Sequence, residues 1–331
     1  MSPDGKVSIL VTGGAGYIGS HAVLALLDAG YHPVVLDDLS TGSAGLVPAG
    51  VPLIRGDAGD TELLSGIMRG ADIRGVMHFA GSIVVPESVS DPGAYYTNNT
   101  AKSLALIRAC VASGISAFIF SSTAAVYGEP DRLPISEETP LRPISPYGAS
   151  KMMTERMLGD ISAAHGLAYA ALRYFNVAGA DPAGRAGQSG SRSTHLIKVA
   201  CEAVLGLRPA LRIYGTDYPT PDGTCVRDYV HVSDLANAHV LALDRLLSGG
   251  GSLTLNCGYG RGHSVAEVID AVGTAAGRKV PVEIAPRRPG DPASLVASCD
   301  RIGRELGWTP RHDELATIVR TALAWQRRLA E

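Results

Sequence analysis

The sequence predicts an α/β chain built on a doubly wound parallel sheet, followed by a second, smaller α/β domain. Three observations carry that prediction. Short β-branched apolar runs recur along the first half with helical segments between them; the runs lack the alternation of half-exposed strands; and a glycine cluster follows the first run and opens a helix. The length of 331 residues agrees, since it suits about two domains of roughly 150 residues each.

The apolar runs stand at residues 7–12, 33–37, 51–55, 75–80, 117–121 and 168–175. They read as strands covered on both faces, joined by crossover helices. The first crossover is well marked. Ile18, Ala22, Ala25, Leu26 and Ala29 share one face of a helix, and Gly30 supplies its stop. After about residue 176 the texture changes. Residues 178–193 are rich in Gly, Ser, Arg and Asp, too polar for a core element and long enough for an active-site loop or an inter-domain connection. Shorter strands follow at 211–214, 253–256 and 280–284, with more helices between them. A last helix is carried by Leu315, Ile318, Ala322, Trp325 and Leu329, spaced at steps of three and four. The domains are therefore expected at 1–176, completed by part of 226–258, and at 177–331.

Composition narrows the function. A net charge of -3 gives no bulk attraction for nucleic acid or an anionic membrane, and no run of about 18 apolar residues suggests a membrane span. The five cysteines (Cys110, Cys201, Cys225, Cys257, Cys299) form no C-x-x-C pair, which is the usage of a reducing cytoplasm and of a chain without a zinc site. His21, His78 and His231 show no metal-ligand spacing and read as structural. The 39 glycines exceed the average share of ~7%, through tight turns, close approach to a ligand, or both.

The first strand runs into TGGAGYIGS, where Gly14, Gly16 and Gly19 satisfy G-x-G-x-x-G and Gly13 extends the pattern. Such a turn brings backbone amides and a helix N-terminus to a pyrophosphate. Asp37 and Asp38 follow about 20 residues on, where a carboxylate accepts hydrogen bonds from a ribose and repels a 2′-phosphate. The cofactor expected is NAD rather than NADP, on a Rossmann domain. A second motif, Y-x-x-x-K, places Tyr147 and Lys151 one helical turn apart. For a phenol of pKa near 10 to act as a base near neutrality, about three units of depression are needed, roughly 4 kcal/mol. A nearby ammonium and a cationic nicotinamide can supply that order of stabilisation. Ser121, Ser122 and Thr123 end the strand AFIFSST, at the sheet edge where doubly wound folds place ligands.

Together these motifs resemble the extended short-chain dehydrogenase/reductase family. The segments TGGAGYIGSH, HFAG, ESV with YYTNN, FSSTAAVYGEP, SPYGASK, LRYFNVAGA, IYGTDYPTPDGT, VRDYVHVSDLA and APRRPGD resemble, in order and spacing, its UDP-glucose 4-epimerase branch, from about residue 7 to 325. The resemblance implies reversible C4 epimerisation of UDP-glucose and UDP-galactose through a transient 4-keto sugar with tightly held NAD. It also implies a homodimer formed through a helix at 93–113 and the helix beginning near Tyr147. Tyr147 would be the general base, Lys151 would hold the cofactor ribose, and Thr123 would bond the reacting oxygen. The cofactor site would comprise Gly13, Gly16, Tyr17, Ile18, Gly19, Asp37, Asp38, Leu39, Asp57, Ala58, Phe79, Ala80, Gly81, Asn98, Ser121, Ser122, Tyr147, Lys151 and Phe175, with Asp57 at the adenine amine. The UDP-sugar would meet Thr123, Asn176, His195, Leu196, Arg227, Tyr229, Arg288, Asp291 and Leu295. The two arginines suit a diphosphate through planar charge-assisted pairing. The alternative for Arg227 is a surface ion pair with Asp228.

The chain departs from the family pattern at three places. Ser82 and Ile83 follow HFAG where a lysine is common, His195 stands in an Asn-Asn-Leu pattern, and Leu295 occupies a position that ranges from Tyr to small residues. Substrate breadth toward N-acetylated or pentose UDP-sugars stays open. A 4,6-dehydratase is disfavoured, because Ala124 and Ala125 replace the acid and base that elimination needs. A non-catalytic dinucleotide sensor would need the glycines only, not Thr123, Tyr147 and Lys151 together.

Overall fold

The computed structural model describes residues 5–190, 194–288 and 291–331. The last three residues of the polar stretch 178–193, and two within APRRPGD, thus lie outside the described residues. In chain order the first half runs β1 (Ser8–Thr12), α1 (Tyr17–Asp28), β2 (His32–Asp37), β3 (Leu53–Arg55), α2 (Thr61–Gly70), β4 (Ile73–His78), α3 (Val85–Ser90), α4 (Pro92–Tyr95), a π-helical segment (Tyr96–Ala101), α5 (Lys102–Ala112), β5 (Ala117–Ser121), α6 (Pro146–His165) and β6 (Ala168–Tyr174). The second half runs β7 (Asn176–Ala178), α7 (Leu196–Val204), β8 (Leu211–Tyr214), β9 (Val226–His231), α8 (Val232–Leu247), β10 (Leu253–Cys257), β11 (Gly262–Ser264), α9 (Val265–Ala276), β12 (Val282–Ala285), β13 (Ser294–Leu295), α10 (Asp300–Leu306) and α11 (Leu315–Ala330).

The large sheet has seven parallel strands in the order β10-β6-β5-β4-β1-β2-β3. Every residue of β1 and β5 is buried, because helices cover both faces, which is why these strands read as unbroken apolar runs. Alternate residues serve alternate layers. Ile9, Val11, Val35, Ile119, Leu172 and Leu255 pack with Ala22, Leu26, Leu235 and Leu243 of α1 and α8. Leu10, Val34, Val76, Phe118, Phe120 and Ala171 pack on the other side with Leu64, Ile67, Leu106, Ile107 and Leu158 of α2, α5 and α6.

Three features differ from a simple reading of the chain. The strand at Leu253–Cys257 leaves the second half and pairs with β6 in the large sheet. The helix expected over 93–113 is broken by the π-helical segment Tyr96–Ala101, an irregularity that recurs at functional sites. The strand expected at 280–284 begins two residues later, and β12 pairs with β8 as a separate two-stranded ribbon.

The smaller sheet is centred on β9. β11 runs antiparallel to it, with His263 opposite Arg227, while β13 and β7 run parallel, with Leu295 opposite Arg227 and Asn176 opposite Tyr229. A third core beneath this sheet joins Ile197, Cys201, Val268, Val272, Ile318 and Leu323 of α7, α9 and α11. No described helix is long and apolar enough to cross a membrane.

Candidate active site

At the carboxyl end of β1 the chain turns through Gly13, with φ +72°, and enters α1 after Gly16. A Cβ on Gly13 would stand 2.5 Å from the Ala80 nitrogen, and one on Gly19 would stand 2.1 Å from the Gly13 oxygen. These two glycines are demanded by the protein's own packing of loop on strand and helix on loop. Gly16 differs, since a Cβ there would meet only the Gly13 oxygen, at 3.2 Å. No side chain caps α1, so its first-turn amides are offered to a ligand.

Asp37, buried at the end of β2, accepts from the Ala15 amide on Oδ2 at 3.0 Å and from the Leu39 amide on Oδ1 at 2.9 Å. It shapes the glycine loop from the position where the sequence predicts a ribose contact. Asp38 is exposed and accepts from the Ser40 amide and hydroxyl, and Leu39 adopts φ +61°. Beyond β3, Ala58 is buried and Asp57 is tied on both oxygens, to the Gly59 amide at 2.7 Å and to Lys102 Nζ at 2.6 Å. Beyond β4, the Phe79 and Ala80 amides both donate to the Thr12 carbonyl, and the Phe79 ring lies 4.9 Å from that of His239. Gly81 packs against Asn99, whose Oδ1 would be 2.9 Å from a Cβ there, and Asn98 Nδ2 donates to Ser82 Oγ at 2.9 Å. Ile18 lies against the core on the α1 face, and the Tyr17 hydroxyl donates to the Gly179 carbonyl at 2.7 Å, joining the glycine-loop helix to the end of β7.

The three proposed catalytic side chains are brought together by the packing of α6 on the turn after β5. Ser145 caps α6 through the Gly148 amide at 3.2 Å, with Pro146 at the first helical position. Gly148 lets the helix start press on that turn; a Cβ there would stand 2.5 Å from the Ala125 oxygen. Thr123, Tyr147 and Lys151 are all buried, and the Thr123 hydroxyl shares a hydrogen bond with the Tyr147 phenol. Lys151 Nζ donates to the Ser121 carbonyl at 3.0 Å and sits 4.9 Å from the centre of the Phe120 ring. Two of its three donors have no protein acceptor among the described residues.

Burial lowers the Lys151 ammonium to about 8, against an opposing pull from Glu155. Burial pushes the Tyr147 phenol well above its ordinary value, reinforced by Tyr174 and opposed by the Thr123 hydrogen bond. This departs from the simplest reading of Y-x-x-x-K. The protein alone does not prepare a tyrosinate, because burial of the phenol outweighs the Thr123 hydrogen bond. The depression that base chemistry requires must come from positive charge arriving with a ligand.

Behind this group lies a buried polar network that sequence reasoning missed. Ser122 Oγ donates to Glu155, which pairs with Arg173 (Nη2 to Oε2, 2.6 Å); Arg173 Nη1 donates to the Tyr127 hydroxyl at 2.9 Å, and that hydroxyl donates to Asn256 at 2.7 Å. Ser121 Oγ bonds the Tyr174 hydroxyl at 2.8 Å. Asn99 accepts from the Ser82 amide at 2.7 Å and donates to Ser150 Oγ at 3.1 Å, joining the π-helical segment to α6. Glu155 carried a readable signal, since it stands one turn beyond Lys151 on α6.

The residues expected on the substrate side gather on the smaller sheet and its flanks. Arg227 and Arg288 both face Asp291, with Nη2 to Oδ1 at 3.9 Å and Nε to Oδ2 at 2.8 Å. The Arg288 guanidinium also stacks on Tyr214, 4.6 Å from its centre. Asp228 is not the partner of Arg227. Successive strand residues face opposite ways, and Asp228 is fully buried, accepting from the amides of Tyr259, Gly260 and Ala297. Tyr229 is buried and Asn176 exposed, while His195 caps the start of α7 ahead of Leu196 and bonds Gln188 at 2.8 Å. Leu295 and Phe175 pack with Ala124 and Tyr127, so the two groups of residues meet at the turn carrying Thr123. Ile83, at the departure from HFAG-lysine, is 54% exposed, and Ser82 is held by Asn98 and Asn99.

The sheet order, the glycine turn and the buried Thr-Tyr-Lys group define a dinucleotide-dependent enzyme fold. The profile of the NAD dependent epimerase/dehydratase family matches residues 9–258. The chain is 62% identical over 323 residues to a UDP-glucose 4-epimerase of Azospirillum brasilense, covering 98% of this chain and 93% of the relative. Among solved structures it is similar to UDP-glucose 4-epimerase from Brucella ovis in complex with NAD, with a TM-score of 0.94, 46% identity, and 96% and 98% of the two chains covered. It is also similar to the Bifidobacterium longum enzyme in complex with NAD+ and UDP, with a TM-score of 0.93, 38% identity, and 97% and 98% covered. The chain belongs to the NAD dependent epimerase/dehydratase family.

Proposed function

We propose that the protein interconverts UDP-glucose and UDP-galactose by reversible epimerisation at C4, with NAD held through the cycle. The observation that carries this reading is the burial of Thr123, Tyr147 and Lys151 together at the carboxyl end of β5, on the same sheet edge as the start of α1. Bound NAD supplies the hydride acceptor and donor, and a positive charge beside the phenol. Tyr147 removes the proton of the sugar 4-hydroxyl and returns it, while Thr123 bonds the same oxygen and orients the phenol. Lys151, with donors to spare, holds the nicotinamide ribose, and Asp37 the adenosine ribose. Asp57 accepts from the adenine amine at the far end of the same sheet edge.

Arg227 and Arg288 grip the diphosphate, and Tyr229, Leu196 and Asp291 the uridine. Asn176 joins the two arginines on the phosphate side, and the hexose faces Leu295, an apolar contact that leaves the 4-keto sugar free to present its other face. Residues 1–176 with α8 and β10 serve as the cofactor domain, and the remainder of 177–331 as the nucleotide-sugar domain. Two copies pair through α5 and α6; beside α6, Leu141, Met152, Met153, Met157 and Tyr169 line an open groove of about 800 Å³. The five unpaired cysteines suit a cytoplasmic protein.

The test incubates the purified protein with UDP-galactose and separates the products. UDP-glucose forms without added NAD. Absence of interconversion even with NAD supplied would overturn the proposal, and parallel runs with UDP-N-acetylglucosamine and UDP-xylose define the breadth that Leu295 permits.

A further inference from the structure

Lys102 has no place in the motifs above, yet it forms an ion pair with a proposed cofactor residue, Asp57. It is the first residue of α5, directly after the π-helical segment, and its Nζ stands 2.6 Å from Asp57 Oδ2. The Gly59 amide holds the other oxygen at 2.7 Å. Gly59 also makes room for the lysine, since a Cβ there would stand 2.7 Å from Lys102 Cγ and 3.1 Å from its Cβ. The lysine stem therefore lies across bare backbone of the turn that carries Asp57. Side-chain exposures of 30% for Lys102 and 45% for Asp57 keep the pair within reach of a ligand. Burial would raise the Asp57 pKa, but the hydrogen bonds from Lys102 and Gly59 and the lysine charge outweigh it and hold the carboxyl below its ordinary value.

We propose that Lys102 is a positioning residue for base selection: it locks Asp57 as an ionised, singly oriented acceptor for the purine 6-amino group, so that the protein rejects dinucleotides bearing a 6-oxo purine. The inference rests on the reading of Asp57 as the adenine contact. An ionised carboxylate only accepts hydrogen bonds, so a 6-amino group satisfies it and a 6-oxo group opposes it with a second acceptor. A carboxylate tied on both oxygens cannot turn away from that opposition, whereas one released from Lys102 can.

The holoenzyme is equilibrated with equal concentrations of NAD and nicotinamide hypoxanthine dinucleotide and desalted, and the bound dinucleotides are quantified by chromatography. The wild type retains NAD in excess by about tenfold, the scale of one opposed charge-assisted hydrogen bond. Lys102→Met lowers that ratio about three- to fivefold, the scale of one partly exposed ion pair, and Lys102→Arg restores it. Raising the salt concentration lowers the ratio in the wild type and leaves it unchanged in Lys102→Met. If Lys102→Met weakens both dinucleotides alike with the ratio intact, the lysine is a structural contact and the proposal is wrong. Asp57→Asn separates the two layers. A ratio lowered in Asp57→Asn but not in Lys102→Met overturns the role of Lys102 alone, and a ratio unmoved by Asp57→Asn overturns the adenine contact and the proposal with it.

Discussion

The two walls of the cleft are built on opposite principles. On the wall formed by β5 and α6, Thr123, Tyr147 and Lys151 are buried and backed by the Ser122–Glu155–Arg173–Tyr127–Asn256 network, so their positions are set before any ligand arrives. On the side of the smaller sheet, Arg227 and Arg288 share Asp291 as a carboxylate partner, and Arg288, beyond the end of β12, remains 48% exposed. The difference teaches where rigidity is needed. Proton transfer fails if the reacting atoms drift by an ångström, whereas a diphosphate can be gripped by long cations that exchange one anionic partner for another.

Substitutions can break this contrast in a definite order. The largest effect belongs to Tyr147→Phe, which removes the proposed proton acceptor. Turnover should fall about 10²- to 10⁴-fold while NAD content after purification is unchanged; loss of NAD instead would make Tyr147 a structural residue. Next come the two arginines proposed to grip the diphosphate. Arg227→Met should raise KM about tenfold or more with kcat little affected, the cost of a charge-assisted hydrogen bond, and the more exposed Arg288→Met should raise it less. An equal fall in kcat would place Arg227 on the reacting side.

The third effect is a pH limb. The role proposed for Lys151 requires a cation, and burial lowers its ammonium to about 8 while Glu155 pulls the other way. Turnover should therefore decline as pH rises through about 8. Glu155→Gln removes the charge that favours the ammonium, so the limb should move to lower pH; a limb that stays put would leave Glu155 a purely structural partner of Arg173.

The smallest effect concerns acid stability. His78 and His231 are both driven down to about 3, burial being the first cause in each. The folded state binds fewer protons there than the unfolded chain. The stability they confer is present above the ordinary histidine value of about 6.5 and is lost as pH falls toward the folded values. Melting temperature should decline steadily from pH 7 to pH 4, a slope that His78→Asn should flatten.

What was legible in the sequence follows the same divide between local and distant. Gly16 and Gly19, Tyr147 and Lys151, and the stop at Gly30 are written within one helical turn or one strand end, where spacing alone carries the geometry. All six first-half strands lie within two residues of their expected limits, because burial on both faces leaves an unbroken apolar run. The buried network joins residues 18 to 129 positions apart, so no local pattern announces it. The π-helical segment has no periodic signature, and β10 reads like any short strand until β6 takes it as a neighbour. Arg227 and Asp228 look like a pair on the page, but a strand turns them apart.

The chain passes between its two sheets repeatedly. It leaves the large one after β6, enters the small one at β7 and β9, returns through α8 to β10, and goes back at β11. The Tyr17 phenol, donating to the Gly179 carbonyl, ties the same two sheets near their seam. Neither half owns a continuous stretch of sequence, so neither can melt and leave the other's framework intact. Heating should therefore give one calorimetric transition in which van't Hoff and calorimetric enthalpies agree, and truncation after residue 176 should give a fragment that does not fold.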